Sequence, residues 1–175
     1  MTHTNIVNDR RNYIRYLLLN HNIDNKNTVW ILNLIKDRDD ILSFIHIMRA
    51  DAFINRLIIY PDFKCHLVLA HGIITDAFVI FHYLSSLNHD IYLDVIPHDN
   101  KYVEIELKEL LSDVVTSLNN FEYREINKKL HYIQHNEIIK KEVKRYIELL
   151  IEETLVKKDK DKFNQLTHLL QMIGE

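Results

Sequence analysis

Glycine occurs only twice in this 175-residue chain, at Gly72 and Gly174. Loops that cradle phosphate need several glycines close together, because the backbone must take positive φ and let the ligand approach its amides. With two glycines so far apart, GxGxxG, GxxxxGK and GxSxG cannot be written anywhere in the chain. Glycine-loop nucleotide binding and the nucleophile elbow are excluded in their usual forms. The single cysteine, Cys65, also excludes an intrachain disulfide, a CxxC redox pair and a zinc ribbon.

A chain with 47% apolar and 27% charged residues has the profile of a soluble globular protein. At this length it can bury a core without a disulfide or metal. Its formal charge is −3, which points to no polyanion partner and no anionic membrane surface. Residues 121–175 hold 11 Lys and Arg against 10 Asp and Glu. The one dense basic cluster, Lys140, Lys141, Lys144 and Arg145, has no nucleic-acid fold signature or aromatic platform beside it, so it reads as a solvated helix face. The longest apolar stretch, residues 65–84, is broken by His66, His71, Asp76 and His82 and does not suit a membrane span. The first residues are polar and resemble no signal peptide, so with one free thiol a reducing cytoplasm is expected.

Hydrophobic periodicity divides the chain into an α+β region, 1–120, and a helical region, 121–175. A first helix from about Asn8 carries Tyr13, Ile14, Leu17 and Leu18; a second carries Val29, Trp30, Leu32 and Ile35. Between about 42 and 96, short β-branched and aromatic runs at 44–48, 57–60, 67–70 and 91–95 read as a small, mostly antiparallel sheet. Gly72 suggests a bulge in a long third strand, and Thr75-Asp76 can cap a packed helix with Phe78, Phe81 and Leu84 on its core face. From Asn100 onward the pattern is helical, although residues 102–107 also alternate like a strand. A helical piece with Ile126, Leu130 and Ile133 precedes a hairpin at about 136–173, whose charged turn offers Asp159 or Asp161 as a cap.

Eleven histidines invite a metal or catalytic reading. His131 and His135 are four apart, enough to reach one ion from one helix face, but the residues between them lack the general-base Glu of HExxH. His135-Asn136-Glu137 begins like a zinc deaminase signature, and a single cysteine cannot complete it. No metal and no cofactor are therefore expected. A hydrolase-like alternative would need His46, His66, His71, His82 and Asp76 to converge on one pocket. His89 belongs to the same central group of histidines, which otherwise read as partly buried side chains with a backbone partner. Cys65 reads as a packed thiol and Trp30 as a core anchor.

Two stretches carry a family likeness. Val29-Trp30-Ile31-Leu32-Asn33-Leu34-Ile35 resembles the VWILNYL-type motif of the YpiB-like proteins of low-GC Gram-positive bacteria. Ile151-Glu152-Glu153-Thr154-Leu155, with Phe163, Leu166 and Thr167 beyond it, resembles the IDEAL domain that closes those proteins, with Glu for Asp and Thr for Ala. The resemblance implies an α+β N-terminal domain and a C-terminal helical hairpin, and it carries over no catalytic residue. The expected function is a non-catalytic protein-interaction or adaptor module. Its partner-binding residues, on a second copy or another protein, would be Ile147, Ile151, Leu155, Phe163, Leu166 and Leu170. The short helices of a hairpin need an apolar surface to lie against.

Overall fold

The computed structural model describes residues 3–49, 55–120, 130, 131 and 133–174. The chain forms two compact units, Met1–Glu109 and Leu110–Glu175, with the division inside a helix rather than at the Asn119-Asn120 break. Of the helical piece expected with Ile126, Leu130 and Ile133, Ile126 lies outside the described residues, whereas Leu130 and Ile133 are helical and Ile133 is buried.

The first unit begins with α1 (His3–Asn20), α2 (Lys26–Asp37) and the single turn α3 (Asp39–Leu42). Asn25 starts α2 as its cap, its side-chain oxygen accepting from Asn27 N at 3.1 Å and Thr28 N at 3.2 Å. That satisfies two of the amides every helix start leaves without an intrahelical partner. Strands β1 (Ile45–Ile47), β2 (Arg56–Ile59), β3 (Cys65–Leu69) and β4 (Gly72–Ile74) follow, then α4 (Ala77–Ser85), β5 (Ile91–Val95) and α5 (Asn100–Asn119). The ambiguous start at 102–107 is therefore helix.

The five strands lie in the order β1-β5-β2-β3-β4. Pairing is antiparallel along β2-β3-β4, as expected for a meander, whereas β5 inserts parallel to both β1 and β2. The α+β class with a central sheet holds, and β5 adds two parallel ladders that local patterning does not reveal. Alternation then sorts the residues by face. Ile45, Ile47, Leu57, Leu67, Ile91 and Leu93 are fully buried on one face. They join Ile14 and Leu17 of α1, Ile31, Leu32 and Ile35 of α2, and Ile80 and Leu84 of α4 in one core.

Three details differ from the periodicity. The long third strand with a bulge is instead two strands joined by a turn at Ala70-His71, and Gly72 enters β4 at φ 143°, a conformation that side chains rarely adopt. Phe78 is not on the core face of α4: Ile80 and Leu84 are, and Phe78 is 68% exposed. Trp30 is not a core anchor either, being 38% exposed.

The second unit contains the rest of α5 and the hairpin of α6 (Glu137–Lys157) and α7 (Lys160–Gly174). Asn136 caps α6. Lys158 ends it in the left-handed conformation, φ 56° and ψ 33°, and Asp159 Oδ1 accepts from Lys162 N at 3.1 Å to start α7. The seam between α6 and α7 is apolar, with Val143, Ile147, Leu166, Leu169 and Ile173 all buried. No helix among the described residues is long and apolar enough to cross a membrane.

Candidate functional site

The histidines that a hydrolase-like site would need do not come together. His46 on β1 and His66 on β3 share a sheet face, but β5 and β2 lie between them and the register offsets them by two residues, so they are more than about 14 Å apart at the usual strand spacing. His71 stands in the exposed β3–β4 turn and His82 on the exposed side of α4. Asp76 is occupied as the cap of α4, its carboxylate accepting from Phe78 N at 2.8 Å and Val79 N at 3.1 Å. His89 hydrogen-bonds Tyr83 at 2.8 Å. The five residues of the alternative therefore do not form one pocket.

His46 has a structural task. Arg10 NH2 lies 3.0 Å and Glu109 Oε2 3.5 Å from its Nδ1. Its Nε2 lies 3.2 Å from Asp90 Oδ1. The same arginine holds Glu109 and donates to the carbonyls of Leu42 and Ser43. Glu109 Oε1 also accepts from Ile47 N at 3.1 Å, which joins β1 to α5. Burial pushes the Glu109 carboxyl up, but hydrogen bonds from His46 and Arg10 outweigh it and hold the group below its ordinary value.

One histidine pairing escapes the sequence reading. Just after β5, His98 Nε2 lies 2.7 Å from Asp94 Oδ1, and Tyr102 OH donates to the same oxygen at 3.2 Å. Asp94 is only 6% exposed, a carboxylate in an otherwise apolar strand. Burial, then the charges of Asp94 and Glu106, drive the Tyr102 hydroxyl far above its ordinary range, so it remains a donor. The neighbouring Asp99 accepts from Tyr16 OH at 3.0 Å and from Tyr102 N at 2.7 Å. A carboxylate-oriented histidine suits proton transfer. Here the same atoms fasten the corner between β5 and α5, and no activated nucleophile stands beside His98 among the described hydrogen bonds. The only sequence signal was Asp94 itself, an acid inside Ile91-Tyr92-Leu93-Asp94-Val95.

Clefts in the first unit are shallow and their charges are taken. The one at the starts of α2 and α4 holds about 220 Å³ and touches Asn25, Thr28, Lys64, Cys65, His66 and Thr75. Its helix-start amides are capped by Asn25 and Asp76, and Lys64 is paired with Asp62 at 2.7 Å. Burial pushes the Cys65 thiol up to about 12, so it is neither a nucleophile nor a ready metal ligand. His131 and His135 do lie side by side, ring centroids 4.0 Å apart. Among the described residues no group of three or more His, Cys, Asp or Glu side chains is placed to hold a metal ion.

The feature that does stand out is aromatic and on the surface. Trp30 of α2 stacks on Phe81 of α4 at 3.9 Å and an interplanar angle of 5°, and meets Phe78 edge-on at 5.4 Å. Val79, 49% exposed, adjoins Phe78 in α4. These helices run against each other, and Trp30, Phe78 and Phe81 form one aromatic cluster across their contact. Asn33 is turned to its own helix, donating to Val29 O at 2.9 Å and accepting from Lys36 Nζ at 2.6 Å. No protein-family model matches the chain.

In the hairpin, the six residues expected to meet a partner separate by exposure. Ile147 and Leu166 are buried in the seam, Ile151, Phe163 and Leu170 are half-buried, and Leu155 is 59% exposed. A partner approaching from outside would reach Leu155 before Leu166.

Proposed function

We propose that this chain is a non-catalytic protein-interaction module of the cytoplasm that binds an amphipathic helix of another protein on the outer face of α2 and α4. The observation that carries this reading is the exposure of Trp30, Phe78 and Val79 beside Phe81. Single exposed apolar residues are ordinary, but a contiguous aromatic group on the surface marks a contact site. Tryptophan in particular concentrates binding energy at protein interfaces. Two helices lying side by side offer a groove that an apolar helical face can fill at i, i+3 and i+4 spacing.

Three further observations support the non-catalytic part. The histidines are dispersed, the buried Cys65 thiol is held protonated, and the Asp94–His98 pair is engaged in fastening a corner. The hairpin contributes through its outward residues, with Leu155 exposed and Ile151, Phe163 and Leu170 half-buried. Membership of the YpiB-like family is part of the same proposal and is supported by the motifs at Val29–Ile35 and Ile151–Leu155.

Photo-crosslinking tests the reading. With p-benzoylphenylalanine in place of Phe78, the adduct should map to one peptide of one protein, with apolar residues at helical spacing. The Phe78→Asp protein should lose that partner while its melting temperature stays unchanged. Adducts scattered over many proteins, no adduct, or full retention of the partner by Phe78→Asp would overturn it.

A further inference from the structure

The turn that leads into α6 holds two histidines in a fixed arrangement. Leu130, His131 and residues 133–135 are helical. Ile133 is fully buried, and Gln134 donates to Met172 O of α7 at 2.8 Å, so the inner side of this turn is anchored. His131 and His135 each stand about 160° round the helix from Ile133 at 100° per residue, and both are exposed. Their ring centroids are 4.0 Å apart.

One of the ring nitrogens has a settled role. His135 Nδ1 lies 2.7 Å from His131 O, and a carbonyl only accepts, so Nδ1 carries a proton and donates it. In the neutral ring this leaves the lone pair on Nε2. Histidines that ligate metals are commonly oriented in this way, by donation from the other nitrogen to a backbone carbonyl. The helix also ends at His135, where its last carbonyls favour a cation. The motifs that this pair fails to complete, HExxH and the deaminase signature, build zinc sites that activate water. An ion held without catalysis needs neither the Glu nor the cysteines.

We infer that His131 and His135 chelate one divalent transition-metal ion of the Cu2+ or Ni2+ type. The two rings supply adjacent positions and water supplies the others, because no third His, Cys, Asp or Glu side chain among the described residues joins them. Geometry selects the metal. At a metal–nitrogen distance of about 2.0 Å, imidazoles bound at 90° have centroids about 4.5 Å apart, against about 5.1 Å at the tetrahedral angle. The 4.0 Å between these rings is nearer the tetragonal value. Cu2+ should therefore bind tightest, and Mg2+, which takes oxygen ligands, should not bind. The bound ion ties the last turn of this helix together across one i, i+4 step. This site is independent of the aromatic face of α2 and α4 and of the partner proposed for it.

Calorimetric titration of the full chain with Ni2+, Cu2+ and Mg2+ tests the inference. The wild type should take up one equivalent of Ni2+ or Cu2+ that His131→Ala and His135→Ala both lose. A chelate needs both rings, so each single variant should weaken this site at least about tenfold and the double variant no further. Both side chains are exposed, so without metal the variants should melt at the wild-type temperature. Ni2+ should then raise the melting temperature of the wild type above that of either variant. Equal uptake by the wild type and the single variants would overturn the inference. So would partial losses in the single variants that sum in the double variant, the mark of histidines acting independently, and so would Mg2+ binding as tightly as Ni2+.

Discussion

Arg10 and Glu109 are 99 positions apart in the chain, yet the guanidinium holds the carboxylate through two hydrogen bonds of 2.5 and 2.7 Å. Both side chains are almost wholly out of solvent, at 3% and 1%. The bidentate geometry and the extra bonds to Leu42 O, Ser43 O and Ile47 N leave no buried charge without a partner. This pair ties α1 and β1 to α5 within the first unit.

Removing one member should cost far more than removing both. Arg10→Met leaves Glu109 buried and uncompensated, and should destabilise the protein by about 3–5 kcal/mol in urea unfolding. Arg10→Met combined with Glu109→Leu should cost much less. The pH dependence follows from the direction of the Glu109 shift. Its folded value is below the ordinary value of 4.5, so its contribution is complete above about that pH. Stability should then be lost as the pH falls from there through the lower folded value, and the Arg10→Met, Glu109→Leu double variant should lack that component of the acid transition. An unchanged acid transition in the double variant would contradict this.

Cys65 should be slow to react in the folded protein. It is 8% exposed, and its thiol is raised to about 12, so little thiolate exists near neutrality. Labelling by iodoacetamide at pH 8 should be at least about a hundredfold slower than in urea, given the thiolate fraction and the lack of access. Native labelling at the denatured rate would refute the placement.

Trp30 is the only tryptophan, which makes its environment directly readable. Its emission should be red-shifted and open to acrylamide quenching in the folded state. Trp30→Ala should cost about 1–2 kcal/mol, from the lost stacking on Phe81 and partial burial, and not the 3–5 kcal/mol of a core aromatic. A blue-shifted, unquenchable emission would return Trp30 to the core.

Leu166 is 1% exposed in the hairpin seam. Leu166→Glu should therefore lower the stability sharply, by roughly 2–4 kcal/mol from cavity and desolvation effects, with a matching fall in melting temperature. Leu155→Glu, at an exposed position, should leave it within about 0.5 kcal/mol. Equal melting temperatures for the two variants would place both side chains outside the seam.

The strands and helices were legible because β-branched runs and 3.6-residue spacing are local signals. Strand order was not. Ile91 could as well have met β4 as Ile45, and nothing within five residues of sequence chooses the partner. β4 was hidden for a related reason: Leu69-Ala70-His71-Gly72-Ile73 reads as one apolar run, and its two-residue turn is marked only by Gly72. Trp30 was misplaced because hydropathy ranks a side chain without saying which neighbour covers it. In α2 the inward row is Ile31, Leu32 and Ile35, and Trp30 stands at its margin. Asp94 and His98 came together through the corner after β5, where spacing in sequence gives no angle. In the hairpin, Asp159 was readable as a cap, whereas Lys158 at positive φ was not, since lysine rarely marks a left-handed residue.

The insertion of β5 between β1 and β2 also sets an order of events during synthesis. The β2-β3-β4 meander pairs neighbours in sequence, so its loops close at little entropic cost as soon as those residues leave the ribosome. β1 has no ladder partner until Ile91, Tyr92 and Leu93 arrive to meet Ile45, His46 and Ile47. Until then β1 is an unpaired segment outside the half-built sheet, and the side of β2 that β5 will take is bare. Docking of this one late strand pairs β1 and covers the bare side of β2 at once, and so completes the sheet with β1 and β4 as its outer strands.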